Sequence, residues 1–124
     1  MPSGQAGLNC LFRNYKKSAR RRNLVFLLEL AEFQAITSDR CAYCNKAPTQ
    51  IARTYGSGLT KSGVKRSEYL YNGIDRLDSD VGYVAPNCVS CCGDCNALKS
   101  NRSLKNFIEQ VSAIYQHFVA KKRD

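Results

Sequence analysis

The chain has 124 residues, of which 44% are hydrophobic, and its 19 Lys and Arg against 10 Asp and Glu give a net charge of +9. This composition predicts one globular domain and excludes a disordered tail and a large multidomain enzyme. No apolar run approaches the roughly 18–20 residues of a membrane span, and the start MPSGQAGLNC lacks the apolar region of a secretion signal. We therefore expect a cytoplasmic protein whose seven cysteines are reduced, which favours metal ligation over disulfides.

The first predicted element is an amphipathic helix over residues 8–22, with apolar residues at helical spacing and a cationic opposite face. It belongs to a basic N-terminal helical arm, residues 1–40, in which no acid precedes Glu29. The cationic residues are Arg13, Lys16, Lys17, Arg20, Arg21 and Arg22. The apolar stretch over 23–37 predicts either an extended turn into a helix or one continuous helix, since periodicity does not decide between them.

The middle of the chain is predicted to contain a loop and a hairpin. Residues 53–66 are rich in glycine and basic residues and have no acid, which predicts a flexible loop, either a linker or a phosphate contact. Residues 69–86 predict a hairpin, with aromatic and branched residues around Asn72-Gly73 and a turn at Ser79 to Gly82.

The C-terminal segment, residues 101–124, is predicted to be an amphipathic helix that packs on the core. Ser103 is a favourable N-cap residue, and an apolar stripe follows it at helical spacing. The stripe consists of Leu104, Phe107, Ile108, Val111, Ile114, Tyr115 and Phe118. The single histidine of the chain, His117, lies late in this helix, where we expect a helix-end or surface residue.

Charge is unevenly distributed along the chain. Residues 67–98 carry one base, Arg76, and five acids, a local net charge of −4, whereas the remaining residues carry eighteen bases and five acids, a net charge of +13. This pattern is typical of a protein that binds a polyanion over its basic surface and binds a divalent cation at one acidic site. The alternative is a solvated basic surface with acids in turns.

Two cysteine pairs carry the strongest chemical signal. Cys41-Ala-Tyr-Cys44 and Cys92-Gly-Asp-Cys95 supply four thiolates for tetrahedral zinc, because each two-residue gap lets both sulfurs of a knuckle reach one ion. The competing knuckle Cys88-x-x-Cys91 leaves open which cysteines of the second half bind zinc. Cysteines that are not ligands are expected to be small apolar fillers, and the alternative for the paired ones is buried thiols or a redox pair.

Further motifs follow the first knuckle in a fixed order over residues 41–100. Gly73-Ile-Asp-Arg-Leu-Asp78 comes first, then Gly82-Tyr83 and Asn87, and finally Cys92-x-x-Cys95-Asn96-x-x-Lys99. This order resembles the HNH endonuclease family, and more narrowly its phage-type members with Asp-Arg in place of Asp-His. The resemblance implies a small α+β fold: a zinc-stapled ββα-metal core of the treble-clef type over residues 41–100, flanked by N- and C-terminal helices.

The resemblance also implies roles for individual residues. Structural zinc is assigned to Cys41, Cys44, Cys92 and Cys95. The catalytic residues are Asp75, Arg76 and Asn96, with Asp75 and Asn96 as ligands of Mg²⁺ or Mn²⁺, while Asn87 fixes the hairpin loop. Nucleic acid is expected to contact Lys16, Lys17, Arg20, Arg21, Arg22, Arg76 and Lys99. The expected partner is nucleic acid, with DNA favoured over RNA and the choice left open, in a phage or ribonucleoprotein assembly inside a host cell.

The sequence departs from the family at the general base. Arg76 stands where the family has histidine, and a guanidinium cannot accept a proton from water. Three outcomes are left open. Another group, such as Asp78, Asp80 or a phosphate oxygen, accepts the proton; metal hydroxide alone cleaves slowly; or the protein has lost its catalytic activity. The resemblance favours an HNH-type endonuclease or nickase that hydrolyses phosphodiester bonds. The alternative is a catalytically inactive zinc-ribbon DNA- or RNA-binding protein, or an assembly component.

Overall fold

A computed structural model describes residues 2–54 and 59–123, with side chains described through residue 121. Within these ranges the helices are α1 (Gln5–Arg21), α2 (Leu30–Thr37), α3 (Lys61–Ser67), α4 (Gly93–Lys99) and α5 (Leu104–Phe118). The strands are β1 (Gln50–Ala52), β2 (Tyr69–Tyr71), β3 (Gly73–Arg76) and β4 (Cys88–Cys91). Single 3₁₀ turns lie at Ala85–Asn87 and Ala120–Arg123. In the described part of the chain, no helix combines the length and apolar character needed to cross a membrane.

The strands form two separate antiparallel pairs. β1 pairs with β2, with Ile51 opposite Leu70, and β3 pairs with β4, with Asp75 opposite Val89. Strands β3 and β4 and helix α4 follow one another, and we call residues 73–99 the ββα unit. The architecture is thus a small α+β fold with helices on both sides of this unit in sequence, as predicted.

The predicted hairpin over 69–86 is wrong in its pairing, because the chain changes sheets at Asn72. The side chain of Asn72 is buried and donates to the carbonyls of Asp39 and Lys46, at 2.9 and 3.2 Å. Its backbone N–H donates to the carbonyl of Thr37 at 2.8 Å. These long-range bonds tie Asn72 to the segment after α2, so β3 pairs with β4 rather than with β2.

Helix α1 forms much of the hydrophobic core. Leu8, Leu11 and Ala19 are buried, and Phe33 of α2 lies fully buried among the aromatic residues of this core. Gly7 allows a close approach, since a Cβ there would lie 2.2 Å from the carbonyl oxygen of Ser67. The N-terminal helix is therefore packed on the rest of the chain rather than projecting as an arm.

The two alternatives for residues 23–37 are resolved in favour of an extended turn followed by a helix. Phe26 forms an isolated bridge with Tyr83, and α2 begins only at Leu30. Glu29 and Glu32 form a capping box at its start, because each side chain accepts a hydrogen bond from the other residue's backbone.

The loop predicted over residues 53–66 is partly wrong, since α3 begins at Lys61. Thr60 caps this helix, and its Oγ1 accepts the backbone N–H of Gly63 at 3.0 Å. A side-chain cap of this kind satisfies a free N–H of the first turn and offsets the low helix propensity of glycine. Part of the predicted loop, residues 55–58, lies outside the described residues.

The prediction that the stripe of α5 packs on the core is also wrong. Phe107 is the buried residue of this helix, with an exposure of 5%, whereas Val111, Ile114 and Phe118 are about half exposed or more. Apolar periodicity specifies a helix and one of its faces, but it does not specify which element covers that face.

Candidate metal centre and nucleic-acid cleft

Four cysteine sulfurs come together where the first knuckle meets the start of α4. The Sγ atoms of Cys41, Cys44, Cys92 and Cys95 all lie within 4.8 Å of one another. The Sγ atoms of Cys44 and Cys92 are 3.6 Å apart, close to the ~3.8 Å expected for tetrahedral Zn–S bonds of about 2.3 Å. The arrangement fits a structural zinc ion, as the two-knuckle pattern predicted.

Position, not charge state, separates the four clustered cysteines from Cys88 and Cys91. Burial opposes ionisation of Cys41, but backbone hydrogen bonds at Cys92, Cys44 and Tyr43 outweigh it and lower the pKa of the Cys41 thiol to about 6. Burial raises the pKa of Cys88 to about 11 and that of Cys91 to about 12. Cys88 and Cys91 lie outside the group of four sulfurs, so among the described residues the competing knuckle does not form.

Asp75 of β3 lies in a buried hydrogen-bonded ion pair. The hydroxyl of Tyr43 donates to Asp75 Oδ2 at 2.5 Å, and Lys99 Nζ lies 3.1 Å from the same oxygen. Lys99 Nζ is 3.4 Å from Asp75 Oδ1. Burial and the hydrogen bond to Asp75 raise the pKa of Tyr43, so its proton stays on the donor.

The prediction that Lys99 faces a phosphate is therefore corrected. Lys99 is only 1% exposed and its ammonium is paired with Asp75. Sequence reasoning missed Tyr43 as well, although it lies inside the first knuckle. A phenol between two zinc ligands was the available signal, but spacing does not show that its hydroxyl reaches Asp75.

Asp75 and Asn96 line the same cleft, which has a volume of about 650 Å³. The residues that line it from the ββα unit include Asp75, Arg76 and Asn96; Tyr15 of α1 and Arg22, the residue after α1, also line it. Asn96 is exposed because it lies in the first turn of α4, just after the buried Cys95. The fold thus brings together the two residues that the motif assigned to a divalent cation.

The donor chemistry of the cleft fits a hard divalent cation. Asp75 Oδ2 already accepts two close hydrogen bonds, whereas Oδ1 has the single long contact with Lys99 Nζ. A carboxylate oxygen and an amide oxygen are ligands of the kind that Mg²⁺ prefers, with water completing its octahedron. Asp75 Oδ1 and the side-chain oxygen of Asn96 are therefore the atoms that would hold the ion.

Arg76 and Asn87 hold the loop between β3 and β4. Arg76 Nη1 donates to the carbonyls of Ser79 and Val81, at 2.6 and 2.9 Å. Asn87 Nδ2 donates to three loop carbonyls and its Oδ1 accepts the N–H of Asp78 at 2.9 Å. Other N–H groups of the Arg76 guanidinium are not needed for these bonds and remain able to contact a phosphate in the cleft.

The cationic residues of α1 lie beside the cleft: Asn14 lines the cleft and also lines a neighbouring pocket with Lys17, Arg20 and Arg21. Lys16, Lys17, Arg20 and Arg21 are exposed. Arg22 Nη2 donates to the hydroxyl of Tyr83 at 2.8 Å, so this arginine is fixed at the rim of the cleft. Tyr15 lies deeper, where burial raises its pKa to about 12 and its oxygen accepts the N–H of Ile74.

Comparison with known proteins adds one sequence relative and one solved structure. The chain is 34% identical over 97 residues to uncharacterized protein R423 of Acanthamoeba polyphaga mimivirus, a match that covers 78% of this chain and 15% of the relative. The chain thus spans about 15% of the length of this viral protein. No family model matches the chain.

One structural neighbour is the rare-cutting HNH restriction endonuclease PacI. The two structures have a TM-score of 0.56 and 21% sequence identity, and the match covers 93% of this chain and 81% of the PacI chain. The likeness extends over almost the whole of this chain, flanking helices included. The fold is therefore HNH-like, as the motif order predicted.

Proposed function

We propose that this chain is an HNH-type nucleic-acid-binding protein and a divalent-metal-dependent endonuclease that hydrolyses phosphodiester bonds in DNA. The observation that carries the proposal is the cleft that Asp75, Arg76 and Asn96 line together with Arg22. The HNH-like fold and the four clustered cysteines support the same function.

Each group in the cleft has a distinct part in this proposal. Asp75 and Asn96 hold Mg²⁺ or Mn²⁺, and the bound ion supplies stabilisation of the negative charge that develops on the leaving oxygen. Arg76 and Arg22 hold the phosphate, since a guanidinium matches its oxygens in a two-pronged contact. The exposed bases of α1 follow the neighbouring backbone phosphates, which makes binding sensitive to salt.

Structural zinc has an indirect part in the proposal. The zinc ligands join the first knuckle to α4, which carries Asn96, and the same knuckle carries Tyr43, which is hydrogen-bonded to Asp75. Zinc therefore fixes the two metal-binding residues relative to each other without touching substrate.

A second candidate function is nucleic-acid binding without cleavage. Arg76 occupies the position of the general base, and His117 lies on the exposed helix α5, away from the residues that line the cleft. Loss of a positioned base typically lowers a rate by ~10²–10⁴. A binder of this kind keeps the zinc site and the cationic face but has no turnover.

A plasmid-nicking assay distinguishes the two functions. We expect the wild-type protein to nick supercoiled DNA with Mn²⁺ or Mg²⁺ and not with EDTA, and Asp75→Asn to lower the rate by at least ~10²-fold. Asp94→Asn is the matched control, because Asp94 is an exposed carboxylate that pairs with Lys46. Salt-sensitive binding by all three proteins with nicking by none would contradict the enzyme and support the binder.

The position of Arg76 gives a second test. If the cleft is competent except for its base, Arg76→His raises the nicking rate, by up to ~10²–10⁴-fold. Arg76→Gln is the control, since it also removes the bonds to Ser79 and Val81 without adding a base. Equal rates for the two variants with bound Mn²⁺ would show that proton abstraction at this position does not limit the reaction.

A further inference from the structure

Lys99 stands out among the charged groups of the described residues because of its burial. Its exposure is 1%, and the side chains of the Lys99–Asp75 pair are 2% and 7% exposed. By contrast, the side chains of the Lys46–Asp94 pair are 44% and 81% exposed. Taking an ammonium out of water is costly, and a buried lysine persists only when it is closely paired.

The contacts to Asp75 are asymmetric. Oδ2 accepts from Tyr43 at 2.5 Å and from Lys99 at 3.1 Å, whereas Oδ1 has a 3.4 Å contact with Lys99. The carboxylate is thus held more closely through Oδ2 than through Oδ1, and both Asp75 and Lys99 line the same cleft as Asn96. A divalent cation that enters the cleft therefore meets the Asp75 carboxylate already paired with the ammonium of Lys99.

We propose that Lys99 is a built-in counter-cation that competes with the divalent ion for Asp75 and thereby sets how tightly the protein binds Mg²⁺ or Mn²⁺. Tyr43 is the positioning residue that keeps the carboxylate oriented while the two cations exchange. This inference rests on the proposed role of Asp75 as a metal ligand.

Electrostatics gives the direction of the effect. An ammonium within about 3 Å of the ligating carboxylate repels a second positive charge, and the buried setting weakens solvent screening of that repulsion. Without the charge of Lys99, Asp75 is a buried anion with no counter-ion, a state that a divalent cation relieves. Lysine also has a flexible four-carbon stem, and Lys99 lines the cleft, so its ammonium has a path away from Asp75.

The test is a Mn²⁺ titration followed by electron paramagnetic resonance without nucleic acid, on zinc-loaded protein. Lys99→Met and Lys99→Gln are expected to lower the Mn²⁺ dissociation constant by at least about tenfold, and Asp75→Asn to abolish this site. The matched control is Lys46→Met, which removes the same charge from an exposed pair and is expected to change the constant less than about twofold.

The outcomes separate the inference from the proposed function. If both Lys99 variants bind Mn²⁺ as weakly as the wild type or more weakly, and Asp75→Asn loses binding, Lys99 does not compete with the divalent ion. The proposed metal site at Asp75 then still stands. Binding by Asp75→Asn equal to that of the wild type removes Asp75 as a ligand and overturns the proposed metal site itself.

A measurement on the wild-type protein does not depend on whether the variants fold. Reductive methylation read by mass spectrometry is expected to modify Lys99 far more slowly than Lys46 without divalent ion, because Lys99 is buried and paired. Saturating Mg²⁺ is expected to raise the Lys99 rate several-fold and to leave that of Lys46 unchanged. A Lys99 rate unaffected by saturating Mg²⁺ overturns the competition.

Discussion

The two long helices, α1 and α5, have similar patterns and opposite surroundings. Both are amphipathic, but α1 buries Leu8 and Ala19 almost completely, whereas Ile114 and Phe118 of α5 are 51% and 59% exposed. Helix α1 buries Leu8 and Leu11 in the core, and its Tyr15 hydroxyl accepts the N–H of Ile74 in β3, while α5 is anchored by Phe107. A hydrophobic stripe therefore predicts a helix and its apolar face, but the neighbouring elements decide how much that face contributes to the stability of the fold.

The contacts of the two helices explain the difference. In α1, Gly7 lets the backbone approach β1 and the end of α3. In α5, the ring of Phe107 packs edge-on against Tyr43, with ring centroids 5.5 Å apart. Helix α1 is thus part of the core, whereas helix α5 is held mainly by Phe107.

The largest expected effect is on the stability of the whole protein. Leu8→Ala should lower the free energy of unfolding by about 2–5 kcal/mol, because it leaves a cavity beside buried neighbours. Ile114→Ala on α5 should change it by less than about 0.5 kcal/mol, since half of that side chain is already in water. Urea denaturation of zinc-loaded protein measures both, and equal losses would contradict the comparison.

A smaller loss in the free energy of unfolding is expected where α1 approaches strand β1. In Gly7→Ala, the added Cβ would lie 2.4 Å from the carbonyl oxygen of Ala52 and closer still to that of Ser67. Because both contacts are with backbone, we expect a loss of about 1–3 kcal/mol from overpacking. Gly63→Ala is the control, since its nearest contact is the Thr60 side chain at 3.2 Å and alanine favours the helix there. A thermal melt in which Gly7→Ala matches the wild type would show that α1 shifts freely.

Phe107→Ala should act locally rather than globally. Its cost cannot exceed the free energy with which α5 docks, so we expect α5 to detach while the midpoint of global unfolding changes by less than ~1 kcal/mol. Hydrogen exchange is the measurement: the amides of α5 should lose protection and those of α1 should keep it. Loss of protection in both helices would show that α5 is part of the same cooperative core.

The smallest effect concerns surface charge and rests on the proposed binding of nucleic acid. Lys17→Ala on α1 should reduce the slope of log affinity against log salt concentration by about one, as expected for one lost phosphate contact. Lys105→Ala removes the same charge from α5 and should leave the slope unchanged. Fluorescence anisotropy with a duplex at several salt concentrations gives both slopes, and equal slopes for the two variants would remove α1 from the interface.

Local patterns predicted the parts of the fold that depend on short-range constraints. Helix α1 and the zinc knuckles follow from periodicity and cysteine spacing, whereas the short helix α4 was expected from the resemblance to the HNH family. The shared cleft of Asp75 and Asn96 followed from the order of the motifs, which specifies a strand, a return strand and a helix. The change of sheets at Asn72 was missed, because it involves hydrogen bonds from Asn72 to residues far away in sequence.

The orientation of Lys99 was the main error within the site. Its position after Asn96 places it on α4, but whether its ammonium reaches outward to a phosphate or inward to Asp75 depends on the distance between α4 and β3. That distance is a product of tertiary packing, which no local spacing encodes. The same holds for Tyr43, whose reach to Asp75 requires the knuckle to lie over β3.

Tyr43 also joins three parts of the molecule that are remote in sequence. Its ring packs against the cysteine cluster and against Phe107, and its hydroxyl is bonded to Asp75. Release of an ion held by the four cysteines would therefore loosen the Asp75 carboxylate and the C-terminal helix in one step, although neither of them is a ligand of that ion.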